Sequence, residues 1–142
     1  MRRSSMLCLD ANILIRRVTE PDSASIQDLW RGWRSAQREF VAPVLLRFEV
    51  PNALHRLRRA RVVSDRTTHL LLDAALAESI TLYADQNLHA AALDFAARFD
   101  LPAAYDAHYL ALADRLDVEF WTADRRLAHT VRQHLPWVRL AE

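Results

Sequence analysis

Met6-Leu7-Cys8-Leu9-Asp10 decides how this chain is read: four apolar residues without polar alternation, stopped by a carboxylate. Such a run is the mark of a strand buried on both faces, and the charge marks where the strand leaves the core. The pattern recurs at Phe40-Val41-Ala42, at Ile80 to Tyr83 and at Val118-Glu119-Phe120-Trp121, with Val138 and Leu140 as a last short edge strand. The segments between have helical spacing. After Pro21, the apolar positions Ile26, Leu29, Trp30 and Trp33 predict an amphipathic helix with Arg31, Arg34 and Arg38 outward. Further helices are expected over about 44–61, from Ser64 or Asp65 to Leu76, over 88–99, from Asp106 to Leu116, and from Asp124 to about Leu135. Strands alternating with helices predict an α/β fold: one domain over 1–142, with a central parallel sheet covered by helices on both faces.

Composition narrows the chemistry. The chain has 142 residues, 51% of them hydrophobic, and nineteen basic side chains against eighteen acidic ones. A net charge of +1 leaves any nucleic-acid binding to a local patch. All nineteen basic residues are Arg, so Schiff-base and lysine general-base chemistry are excluded. Gly32 is the only glycine, which excludes a Walker A loop and a GxGxxG dinucleotide fingerprint. Cys8 is the only cysteine, so no internal disulfide and no thiolate zinc site can form, and its apolar setting predicts an inert core residue. The apolar patch after Arg2-Arg3 is cut by Asp10 and Asn12, too early for a signal-peptide core, and no stretch approaches membrane-spanning length. The expectation is a soluble, cytoplasmic protein.

The acidic residues carry the functional signal. Asp10 and Asp124 follow strands and Asp106 opens a helix, which places all three where a doubly wound sheet binds ligands, outside the carboxyl ends of its strands. Each also suits a helix cap, and Asp65 and Asp85 read as caps only. Glu49 is harder to explain structurally. Its helical neighbours Leu45, Leu46, Asn52 and Ala53 include no basic partner, and burying a carboxylate unpaired costs on the order of several kcal/mol. Pro51 stands two residues on and is expected to disturb that helix. Four carboxylates at one edge cannot all stay ionised without a compensating cation. With no Lys and no Cys/His ligand spacing, that cation is a hard divalent ion with oxygen ligands, Mg²⁺ or Mn²⁺.

Four stretches together resemble one family. Leu9-Asp10-Ala11-Asn12-Ile13-Leu14 is similar to the opening of a PIN domain, and Phe48-Glu49-Val50-Pro51-Asn52-Ala53-Leu54 to its second acidic motif. Tyr105-Asp106-Ala107-His108-Tyr109-Leu110-Ala111-Leu112-Ala113 resembles the third, and Trp121-Thr122-Ala123-Asp124-Arg125-Arg126-Leu127 the fourth. They stand in family order across nearly the whole chain, and the length is similar to that of VapC-type toxins of bacterial toxin–antitoxin pairs. The resemblance implies a parallel-sheet nuclease fold with Mg²⁺- or Mn²⁺-dependent endoribonuclease activity. It also implies a homodimer and a small VapB-like antitoxin whose tail lies over the active site. Carried over by motif, Asp10, Glu49, Asp106 and Asp124 form the metal-binding acidic cluster, with Asn12 and Thr122 in support. Hydrolysis in that family's manner leaves a 5′-phosphate and a 3′-hydroxyl.

Several features stand outside those motifs. The run Leu54-His55-Arg56-Leu57-Arg58-Arg59-Ala60-Arg61 is the densest basic stretch; Arg58 and Arg59 either contact RNA phosphates or form a solvated helix end. Arg16, Arg125 and Arg126 follow motif acids and are expected to rim the pocket. Trp30 and Trp33 read as core, although four Trp leave room for a partner groove. The six histidines show no metal spacing, and His108 is expected beside the site without a direct role. Two rival readings remain: a catalytically silent RNA- or protein-binding module on the same fold, and a phosphatase with Asp10 as nucleophile, which lacks the lysine that such chemistry commonly uses.

Overall fold

The computed structural model describes residues 2–142. Five strands form its sheet: β1 (Arg3–Leu9), β2 (Glu39–Pro43), β3 (Ile80–Tyr83), β4 (Val118–Thr122) and β5 (Val138–Leu140). Seven helices connect them: α1 (Ala11–Thr19), α2 (Ala24–Ser35), α3 (Leu46–Arg59), α4 (Asp65–Leu76), α5 (Asn87–Arg98), α6 (Ala107–Leu116) and α7 (Arg125–Val131). All strand pairs are parallel, in the order β3-β2-β1-β4-β5. The expected α/β architecture is present, with β1 in the middle and Leu7, Cys8 and Leu9 fully buried.

Alternation along the strands assigns the two faces. On one, α2 lays Trp30 on Phe40 with ring centroids 4.7 Å apart, and Trp33 on Trp121 at 5.3 Å. On the other, α6 stacks Tyr109 on Phe120 at 5.5 Å, and its Tyr109 carbonyl accepts a long contact from the Cys8 thiol. Trp30 and Trp33 are therefore consumed by the core, and a partner groove at that pair is ruled out by their burial. Cys8 is a buried packing residue, as expected.

Several boundaries differ from the sequence reading. Of helix α1 the sequence offers only a cap position at Asp10, with no bounds. Helix α7 stops at Val131, four residues short of Leu135, with turns over 132–134; Pro136 disfavours helical backbone at Leu135 alone. Pro51 does not break α3, which runs on to Arg59. Arg38 is not an outward residue: its guanidinium lies between the Met6 carbonyl at 3.1 Å and Glu119 at 3.5 Å. Ser64, not Asp65, caps α4, its hydroxyl accepting from the Thr67 N–H at 3.0 Å. Asp85 is spent on Arg115.

The single glycine is placed where none is needed. Gly32 sits inside α2, and a β-carbon there would meet nothing within 4 Å. Gly32→Ala is thus expected to stabilise the fold by about 0.5–1 kcal/mol, read as a rise in urea midpoint. Where left-handed backbone is required, other residues supply it: Gln37, Arg61, Asp100 and Asp117 all have positive φ just past a helix. Each such stop costs roughly 1 kcal/mol relative to glycine.

Candidate active site

Strand order reverses between β1 and β4, since β1 continues to β2 on one side and β4 to β5 on the other. Crevices at such a switch point, outside the carboxyl ends of the strands, are where open α/β sheets bind ligands. Asp10 stands there. Its N–H extends the ladder by donating to the Trp121 carbonyl at 3.0 Å, and only 4% of the residue is exposed.

A closed set of hydrogen bonds fixes this carboxylate. The fully buried Thr122 hydroxyl donates to Asp10 Oδ2 at 2.7 Å. The same oxygen of Thr122 accepts from the Asp124 N–H at 3.0 Å and from Asn12 Nδ2 at 3.2 Å. Both of those partners can only donate, so the hydroxyl proton is directed to Asp10. Asn12 Nδ2 also lies 3.2 Å from Asp10 Oδ2, while its Oδ1 accepts from the Ala123 N–H at 3.0 Å. Asn12 and Thr122 therefore stitch the start of α1 to the end of β4 through the acid between them.

The remaining acids approach from two other elements. Glu49 lies in the first turn of α3, half-buried, and Oε1 accepts from the Tyr109 hydroxyl at 2.6 Å. Asp106 precedes α6 without capping it, and Asp10 likewise makes no cap bond to α1. Only Asp124 caps with its side chain, Oδ1 accepting from the Leu127 N–H at 3.1 Å. The cap explanation thus fails for two of the three aspartates. Asp10, Glu49 and Asp106 line one open cleft of about 680 Å³, together with Asn12, Asn52 and Arg56.

The electrostatics show what the cleft lacks. Burial pushes Asp10 up to about 8, with Asp106 and Glu49 adding repulsion and the Thr122 bond opposing it. Burial raises Glu49 as well, against the Tyr109 bond and with Asp106 adding to the rise. Asp106 is raised by burial and by Asp124. Burial, then the Asp10 and Glu49 charges, drive the Tyr109 hydroxyl far above its ordinary value, so it remains a donor. Among the described residues none of the four acids has an ion-pair partner. Nor do three His, Cys, Asp or Glu groups among them close into a ready-made ligand cage. Carboxylates without ion-pair partners at one cleft offer oxygen ligands that fit a small hard cation keeping part of its water shell.

Tyr109 and Arg56 were not singled out from the sequence. The signal for Tyr109 is its place three residues after Asp106 on one helix; for Arg56, its place seven residues after Glu49 on one face of α3. Tyr109→Phe is expected to leave Glu49 Oε1 without its donor and to cost about 1–2 kcal/mol of stability. Comparing melts of Tyr109→Phe and Glu49→Gln, alone and combined, checks this, because the two effects should not add.

Arg58 donates to Asp65 at 2.6 Å and Arg16 to Glu20 at 3.0 Å, whereas Arg59, Arg125 and Arg126 are exposed. His108 lies 3.0 Å from His89, ring nitrogen to ring nitrogen, beside the cleft.

A family model described as PIN domain matches residues 8–134. Compared against curated proteins, the chain matches none. Among solved structures it is similar to a chain of a toxin–antitoxin complex from Klebsiella pneumoniae, with 15% identity and a TM-score of 0.65 over 96% of this chain and 98% of that one. It is also similar to a chain of VapBC2 from Rickettsia felis bound to a DNA fragment from their promoter, with 10% identity and a TM-score of 0.67 over 95% and 96%. At these identities the likeness speaks for the fold.

Proposed function

Because the chain belongs to the PIN domain family, we propose that it is a Mg²⁺- or Mn²⁺-dependent endoribonuclease, the toxin of a toxin–antitoxin pair. The observation that carries this reading is the cleft lined by Asp10, Glu49 and Asp106: three carboxylates at the switch point, each raised by burial and none of them ion-paired. A bound divalent ion supplies the balancing charge and stabilises the charge developing on phosphate oxygens.

The chain's own groups do the rest. Asp10, Asp106 and Asp124 would hold the cation, and Thr122 and Asn12 fix the Asp10 carboxylate through its Oδ2. Glu49 has one oxygen occupied by Tyr109, which leaves Oε2 to take a proton from an attacking water, and burial raises its pKa above the ordinary value. Arg56 lines the cleft, and in this reading Arg16, Arg58, Arg59, Arg125 and Arg126 contact the RNA backbone further out and offset its repulsion. The partners in this reading are an RNA substrate, a small VapB-like antitoxin covering the cleft, and a second copy of the chain in a homodimer. The antitoxin is supported by the two solved complexes. The protein works as one domain over 1–142 in the cytoplasm; no helix among the described residues is long and apolar enough to cross a membrane.

Purified protein freed of any antitoxin should cut total cellular RNA with Mg²⁺ or Mn²⁺, stop with chelator, and lose cleavage in Asp106→Asn. The new ends should be 5′-phosphate and 3′-hydroxyl. Cyclic 2′,3′-phosphate ends would contradict the mechanism, since they require the RNA's own 2′-hydroxyl as nucleophile. Metal binding without cleavage of any RNA would favour a silent binding module.

A further inference from the structure

Two aromatic side chains are out of place on this surface. Phe48 is 69% exposed and Tyr105 67% exposed, although each directly precedes a cleft acid, Glu49 and Asp106. They come from different elements, the first turn of α3 and the loop before α6. Both line the acidic cleft, and both, with Leu45, also line a second cavity of about 300 Å³ beside it. The two hollows thus share a wall and form one continuous surface.

The second hollow differs in chemistry from the first. Its lining is mainly apolar, with Pro43, Leu45 and Leu88 among its residues, and it also includes the rings of His89 and His108. Those rings are fixed. His108 Nδ1 lies 2.8 Å from the Ala104 carbonyl, which only accepts, so Nδ1 holds the proton. With His108 neutral, its Nε2 accepts from His89 Nδ1 at 3.0 Å, which leaves the lone pair of His89 on Nε2. The one carboxylate in the lining, Asp85, is neutralised by Arg115.

We infer that this hollow is a nucleobase subsite: Phe48 and Tyr105 stack an unpaired RNA base belonging to a nucleotide next to the scissile phosphate. The inference rests on the ribonuclease reading of the adjoining cleft and adds to it how the strand is gripped. The shared wall supports it, because a phosphate seated among the acids carries its own base within one nucleotide's reach. Paired bases expose no face, so the subsite selects single-stranded RNA. Base–aromatic stacking tolerates any base, and the histidine edge adds a preference through hydrogen bonding.

The test compares wild type, Phe48→Leu and Tyr105→Leu on total RNA with Mn²⁺, mapping the nucleotides beside each cut, and then on one RNA that the wild type cuts. Leucine keeps the apolar bulk and removes the flat ring. Each variant should raise KM about 5- to 100-fold with a smaller fall in kcat, and should blur the base preference at one position beside the cut. Phe48→Trp should restore both. Unchanged KM and unchanged cut-site preference in both leucine variants would overturn the inference and leave the hollow to a protein segment. Loss of cleavage in the wild type itself would instead sink the nuclease reading, so the two failures are told apart.

Discussion

Asp10→Asn is expected to abolish RNA cleavage, by about 10³-fold or more, and at the same time to raise the stability of the metal-free protein. The loss of activity follows from removing the buried acid at the switch point. The gain in stability follows from its protonation. Asp10 is pushed up to about 8 in the folded chain, against an ordinary value of 3.8. Between those values the folded state holds a proton that the unfolded state has released, so this group's contribution falls as pH rises from about 4 to 8. With chelator present, wild type should melt lower at pH 8 than at pH 5, and the asparagine variant should show a flatter dependence. At pH 8 the variant should be more stable than wild type by about 1–3 kcal/mol. Mg²⁺ or Mn²⁺ should recover the wild type at pH 8 and do little for the variant. A variant that melts below wild type at pH 8 in chelator would mean that the carboxylate is a structural strut.

Thr122→Val should do the opposite, destabilising the fold by about 2–4 kcal/mol whether or not metal is present. Valine has the shape of threonine without the hydroxyl. It would leave the Asp124 N–H and one Asn12 contact unanswered and take from Asp10 the donor that orients it. Activity should fall with it, through a misplaced Asp10. Thr122→Ser retains the hydroxyl and should recover most of both. Equal losses in the serine and valine variants would assign the effect to packing of the γ-methyl instead. Denaturant melts and cleavage rates on all three proteins decide this.

Much of this was legible before any coordinates. The buried strands announced themselves as apolar runs, and a carboxylate after a strand is conspicuous, so Asp10 and Asp124 could be placed on the sheet edge. Glu49 was visible because its helical neighbours offered it no partner. What could not be read depends on groups distant in the chain. Helix α1 was hidden because Ile13-Leu14-Ile15 continues the apolar character of β1 and has too few residues to show a period. Nothing local distinguishes Asp106, which makes no cap bond, from Asp124, which does. The Tyr109 hydroxyl looked like one more aromatic in a packing helix until α3 brought Glu49 to it from sixty residues away.

The central position of β1 determines when, during the making of the chain, the cleft can exist. Asp10 and Glu49 emerge early in synthesis, but the hydroxyl that orients Asp10 lies 112 residues later, on a strand that must pair directly with β1. Until β4 arrives, β1 is an open sheet edge, and Asp10 at its end lacks both Asp124 and its hydrogen-bond frame. Long-range parallel pairing of this kind forms late and slowly. A nascent or truncated chain ending before Val118 should therefore be prone to aggregate rather than partly active, and competence should arrive in one step as the last part of the polypeptide folds.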